Sequence, residues 1–145
     1  HYEISNFALP GFESKHNSGY WDGTPYLGIG PGAHSFDGSN RQYNLPSLAE
    51  YIAQLSLGKV PHTTEVLDEN ERFDEWIFVS LRTSKGLSLS LTEQKFGKQL
   101  LSYLLNNARR HIEAGRIIQK DDYLSIARPY IMVSNDIISD LMVAE

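Results

Sequence analysis

At Pro46 the spacing of apolar residues in this chain changes, and the stretches on either side of it need different partners. Before that point the apolar residues come in short runs, Tyr2 to Phe7 and Tyr26 to Gly30, and each run reads as a strand. Between them, residues 9 to 24 hold Pro10, Gly11, Gly19 and Gly23, and that punctuation predicts a long polar, aromatic loop. A short segment from Arg41 to Asn44 leads out. Two strands and a loop cannot bury themselves. This third of the sequence therefore reads as the edge of something larger, and a chain that opens on His1 directly into a strand-like run reads as a piece of a longer polypeptide.

From Pro46 onward the period is helical. Leu48, Tyr51, Ile52 and Leu55 share one face, with Gly58 as the stop. After a connector holding Pro61, Asp68 followed by Glu71 resembles a capping box, opening a helix that turns Phe73, Trp76, Ile77 and Leu81 inward and closes at Gly86. A short helical turn from Thr92 to Phe96 breaks at Gly97. A longer helix then runs from about Lys98 to Ala114, its stripe made of Leu100, Leu101, Leu104, Leu105, Ala108 and Ile112. Arg116 to Gln119 and Tyr123 to Ile126 flank Asp121-Asp122 as a hairpin, and Ser134 is placed to cap a last helix carrying Ile137, Ile138, Leu141 and Met142. Helix, short helix, long helix, hairpin and helix is a winged-helix order. The domain boundary falls near residue 45.

Composition removes several functions. The net charge is -5 with a pI near 5.5, which disfavours phosphate backbones and anionic membranes. No run approaches the roughly 20 apolar residues of a membrane span, and the N-terminus has no signal-peptide pattern, so a cytoplasmic location is expected. There is no cysteine. Disulfides, thiolate catalysis and cysteine-held iron–sulfur clusters are thereby excluded within this chain.

Three clusters of residues carry candidate chemistry. His16-Asn17-Ser18-Gly19-Tyr20-Trp21 sets an imidazole beside two large aromatics, the components of an axial iron ligand next to flat apolar surface, although a loop histidine also serves as an ordinary hydrogen-bonded surface residue. Gly28-Ile29-Gly30-Pro31-Gly32-Ala33-His34-Ser35 fails as a nucleotide loop: Pro31 removes a backbone donor and no Gly-Lys-Ser/Thr follows. It reads instead as a turn with close backbone approach, leaving His34 as a secondary ligand candidate. Arg109-Arg110-His111 sits where a helix C-terminus favours cations. Glu3 and Glu13, Asp68, Glu69 and Glu71 could be paired catalytic carboxylates on paper, but the later group sits where a helix N-terminus wants negative charge. A winged-helix module binding protein or nucleic acid is the competing reading, but Lys98 is followed by Gln99, Leu100, Leu101 and Ser102, not by the basic run that DNA contact requires.

The strings Tyr2-Glu3-Ile4-Ser5-Asn6-Phe7-Ala8, Pro10-Gly11, Glu13-Ser14, His16-Asn17, Tyr20-Trp21, Leu27-Gly28-Ile29-Gly30, Gly32-Ala33-His34-Ser35 and Arg41 to Asn44 resemble radical S-adenosylmethionine (SAM) proteins of the HemN/HemW type. Leu81-Arg82-Thr83, Gly86-Leu87 and Phe96-Gly97 extend the likeness more loosely. The resemblance implies an α+β chain: terminal strands of a missing (β/α) radical SAM barrel over residues 1–45, then a mainly helical, winged-helix-like C-terminal domain over 46–145. The His-Asn-x-x-Tyr-Trp motif, unbroken from His16 to Trp21, resembles the haem-chaperone branch of this oxygen-independent coproporphyrinogen III oxidase family. It implies haem or porphyrin as partner, bound through His16, Asn17, Tyr20 and Trp21, with His16 on the iron. The parent's [4Fe-4S] cluster and SAM are not expected in this chain, which should catalyse nothing by itself. Its partners would be haem and its own N-terminal barrel, with a non-native dimer through the exposed strands as a risk.

Overall fold

The computed structural model describes residues 2–38 and 40–143; His1 lies outside them. They form two compact units, one made of the residues up to Asp22 together with those from Glu69 onward, the other of Gly23–Asp68. The boundary that periodicity places near residue 45 thus falls by packing at two other points. The first segment packs with the helical part through backbone bonds from Ile4 N to Arg82 O (3.0 Å) and from Ser84 N to Tyr2 O (3.0 Å).

The Gly23–Asp68 unit is an antiparallel three-stranded sheet, in the order β1 (His34–Phe36), β2 (Arg41–Asn44), β3 (His62–Glu65), with one helix, α2 (Leu48–Ser56). Ser47 caps α2 by accepting from Glu50 N. The strand expected over Tyr26 to Gly30 is reduced to a single bridge from Tyr26 to Phe36. The reason is local: Gly30 and Gly32 take positive φ values of 109° and 69°, and the Asn44 side chain donates to Gly30 O at 2.9 Å, occupying a carbonyl that a ladder would have used. Close backbone approach is present at Gly28, where a Cβ would lie 2.1 Å from His34 O.

The larger unit holds α1 (Lys15–Asp22), α3 (Glu69–Leu81), β4 (Leu87–Ser88), α4 (Leu89–Glu113), β5 (Ile117–Lys120), β6 (Tyr123–Ile126), a 3-10 turn over Arg128–Val133 and α5 (Ser134–Ser139). Its sheet has the antiparallel order β4-β6-β5. Phe73, Ile77 and Leu81 of α3 meet Leu104 and Ala108 of α4, Leu87, Ile117 and Leu124 of the sheet, and Ile137 and Ile138 of α5 in one buried cluster. The helical break expected at Gly97 is present as a kink inside α4, with φ 78° and ψ 174°. Ser88 caps the first half of α4, accepting from Leu91 N at 3.2 Å. The expected hairpin forms, with Lys120 opposite Tyr123 and Asp121 at φ 52° in its two-residue turn. Among the described residues no helix is long and apolar enough to cross a membrane.

Three expectations in this unit are corrected. Tyr2 to Phe7 is no strand: only Glu3 bridges, to Thr83, because its buried carboxylate accepts from Ser5 N at 2.9 Å and from the Asn6 amide, curling the chain. Residues 9 to 24 are not all loop, since Lys15–Asp22 is helical. Ser14 Oγ accepts from Asn17 N at 3.2 Å as an N-cap does, and Gly23 leaves the helix at φ 76°. Ser134, expected to cap the last helix, makes no capping bond; it is the first residue of α5, with Val133 before it, and is buried.

Candidate functional site

Helix α1 sorts the aromatic motif by position. His16 and Tyr20 are four residues apart and share a face. The His16 Nε2 lies 3.1 Å from the Tyr20 hydroxyl, and the rings meet edge-on at 5.1 Å between centroids. Both residues are exposed. Asn17 and Trp21 point elsewhere. The Asn17 amide donates to the Tyr2 hydroxyl at 3.1 Å, tying α1 to the first residues of the chain. Trp21 is half-buried against Arg82, whose guanidinium carbon lies 5.5 Å from its ring centroid and 5.0 Å from that of Phe78. The Trp21 Nε1 is buried with no hydrogen-bond partner. Of the four residues in the motif, the structure brings His16 and Tyr20 together at the surface and spends Asn17 and Trp21 on holding the helix in place.

The surface leading to α1 is apolar. Phe7, Leu9 and Phe12 are 74%, 73% and 79% exposed. His34, the secondary candidate, stands on β1 in the other unit, exposed, its ring 5.9 Å from that of its cross-strand partner Tyr43. His62 Nδ1 lies 3.1 Å from Val60 O.

Among the described residues no group of three or more His, Asp or Glu side chains could hold a metal ion. A bare cation therefore has no cage. Haem iron needs none, because the porphyrin supplies four nitrogens and the protein only an axial donor, which a lone exposed imidazole beside apolar surface can give.

Sequence reasoning missed two arrangements. Arg82 carries no periodic signal, yet it is the cation between Trp21 and Phe78, donating to Asn135 Oδ1 at 3.1 Å. His111, expected to be a last-turn cation, is buried: with Leu104 and Ala108 it continues the inward face of α4 at spacings of four and three. Its Nε2 is 3.1 Å from Asp140 Oδ2, off the line of a well-formed hydrogen bond. Burial pushes the imidazole pKa below its usual 6.5, Arg116 and Arg110 push the same way, and Asp140 opposes them. Arg110 takes the cation's expected role, pairing with Asp140 at 2.7 Å. The two acidic residues noted near the N-terminus occupy unlike settings, Glu3 fully buried and Glu13 exposed.

Comparison with known proteins bears on both units. The HemN C-terminal domain family matches residues 67–129. The haem chaperone HemW of Bacillus subtilis is 33% identical over 138 residues, covering 94% of this chain and 36% of its own length. HemW of Lactococcus lactis is 42% identical over 96 residues, 66% of this chain and 25% of that protein. The structure of Escherichia coli HemN, described as coproporphyrinogen III oxidase and a radical SAM enzyme, superimposes with a TM-score of 0.69 over 98% of this chain and 37% of its own, at 16% identity. That likeness is one of fold. The chain spans about a third or less of the length of these relatives.

Proposed function

Because the chain belongs to the HemN/HemW family and is the C-terminal part of such a protein, we propose that it handles haem as part of a haem chaperone, with His16 as the axial ligand. The observation that carries this reading is the exposed imidazole of His16, beside the Tyr20 hydroxyl and preceded by the exposed Phe7, Leu9 and Phe12. Apolar side chains exclude water from the porphyrin face, and the neutral imidazole holds the iron. Tyr20 orients the ring from one nitrogen, as the second partner of a ligating histidine does, leaving the other nitrogen for the metal. Asn17 and Trp21 serve the site through the helix, fixing its face by way of Tyr2 and Arg82.

In the whole protein this C-terminal part shapes the haem or porphyrin pocket beside a radical SAM barrel. The [4Fe-4S] cluster and SAM of that barrel are held outside this chain, which has no cysteine to bind a cluster. Titration with ferric haem tests the reading. His16→Ala is expected to weaken binding by at least about tenfold, or ~1.4 kcal/mol, and His34→Ala to leave it unchanged. Equal affinity in both variants would remove the support for His16.

A further inference from the structure

Away from the α1 face, the larger unit has an open cleft of about 390 Å³ between the first residues of the chain, the end of α3, β6 and the 3-10 turn. Its walls are chemically mixed. The apolar residues Ile4 and Ile131 line it together with the hydroxyl residues Ser84 and Ser125 and the two arginines Arg82 and Arg128. Among the described residues no carboxylate lines it, in a chain whose net charge is -5.

The two arginines differ in a useful way. Arg82 is held in advance: stacked between Trp21 and Phe78 and bonded to Asn135, it gives up little side-chain freedom when a ligand arrives. Its Nε is buried and has no acceptor. Arg128 is exposed and pairs with no carboxylate among the described residues. Surface arginines usually find an acidic neighbour or open water. Two that border one cleft, with no acid between them, leave a positive potential that a planar oxyanion can satisfy by paired N–H donation. The isoleucines add a preference that a bare inorganic anion cannot use. The volume lies at the small end of ligand pockets.

We propose that this cleft binds a small monocarboxylate on an apolar stem, the carboxylate against Arg82 and Arg128 and the stem against Ile4 and Ile131. Ser84 and Ser125 complete the acceptor's hydrogen bonds. The site is separate from the haem reading and needs no iron.

The test is a titration of the 15N-labelled chain with hexanoate, followed by amide shifts. Saturable shifts at Ser84 and Ser125 are expected, with hexanol giving none there and inorganic phosphate binding at least about tenfold more weakly. Arg128→Gln should weaken hexanoate binding by about tenfold, and Arg128→Lys should restore part of it. Because Arg128 is exposed and unpaired, these variants keep the fold, which their unshifted core amides will report. Absence of saturable shifts at Ser84 and Ser125 would overturn the proposal. So would phosphate binding as tightly as hexanoate, or hexanoate affinity unchanged in Arg128→Gln.

Discussion

His111 shows how much a single residue can hide from a sequence reading. Its neighbours Arg109 and Arg110 mark the last turn of a helix, and nothing in that string says that the third member faces inward. The signal was present only in the spacing Leu104, Ala108, His111, which requires treating a histidine as a core residue. The consequence is a pH dependence. The folded pKa lies below 6.5, so the native state prefers the neutral imidazole. Its contribution to stability is fully present above the unfolded value and is lost as pH falls below about 6.5 toward and through the folded one. Melting temperature should drop between pH 7 and 5, and His111→Gln should flatten that slope; an equally steep slope in the variant would place the titration elsewhere. Asp122 gives a dependence of the same sense at lower pH. It accepts from Ser88 Oγ (2.6 Å), Ser90 N (2.9 Å) and Ser90 Oγ (2.7 Å), bonds that hold its carboxyl below the usual range. That contribution is present above the unfolded pKa of about 3.8 and disappears as pH falls through the folded value. Asp122→Ala should therefore lower the melting temperature at neutral pH and speed amide exchange at Ser90 and Leu91, where the hairpin tip anchors the start of α4.

At the scale of elements, periodicity found what burial controls and missed what side chains control locally. Helices α2, α3 and α4 and the β5–β6 hairpin were legible because an apolar stripe or a two-residue turn dictates them. Helix α1 was not, because glycine counts outweighed two quieter signals, the capping Ser14 and the terminating Gly23. Strands β1 and β3 were equally silent: His34–Phe36 follows a glycine-rich turn, and the four residues of His62–Glu65 are exposed and polar. Gly97 was read as a break, and the structure says why. Its φ of 78° with ψ of 174° belongs to a region essentially reserved for glycine, while a Cβ there would meet nothing within 4 Å. Gly97→Ala should thus cost about 1–3 kcal/mol from backbone strain alone. Denaturant unfolding measures it, and a neutral substitution would mean that α4 straightens without loss. Leu104→Ala, by contrast, removes atoms from the buried cluster and should cost about 2–5 kcal/mol.

Over the whole molecule, burial is unevenly divided. The large apolar side chains that are fully buried belong to the unit containing α3, α4, α5 and the β4-β6-β5 sheet, whereas Gly23–Asp68 buries Tyr51 and Asn44 among its described residues. Amide exchange should accordingly be fastest across residues 23–68 and slowest in Phe73–Leu81, Leu104–Ile112 and Ile117–Ile126. Uniform protection would show that the two units unfold as one. The same division explains why the site was half-legible. The motif from His16 to Trp21 was visible as composition, but only the helix reveals that His16 and Tyr20 share an exposed face while Asn17 and Trp21 turn to Tyr2 and Arg82. The central claim is that the imidazole of His16 is bonded to haem iron, and chemical rescue tests it most directly. Ferric haem added to His16→Gly should give a Soret band displaced from that of the unaltered chain, and free imidazole should return it to the original position. A variant whose haem spectrum matches the unaltered chain before any imidazole is added would contradict the account.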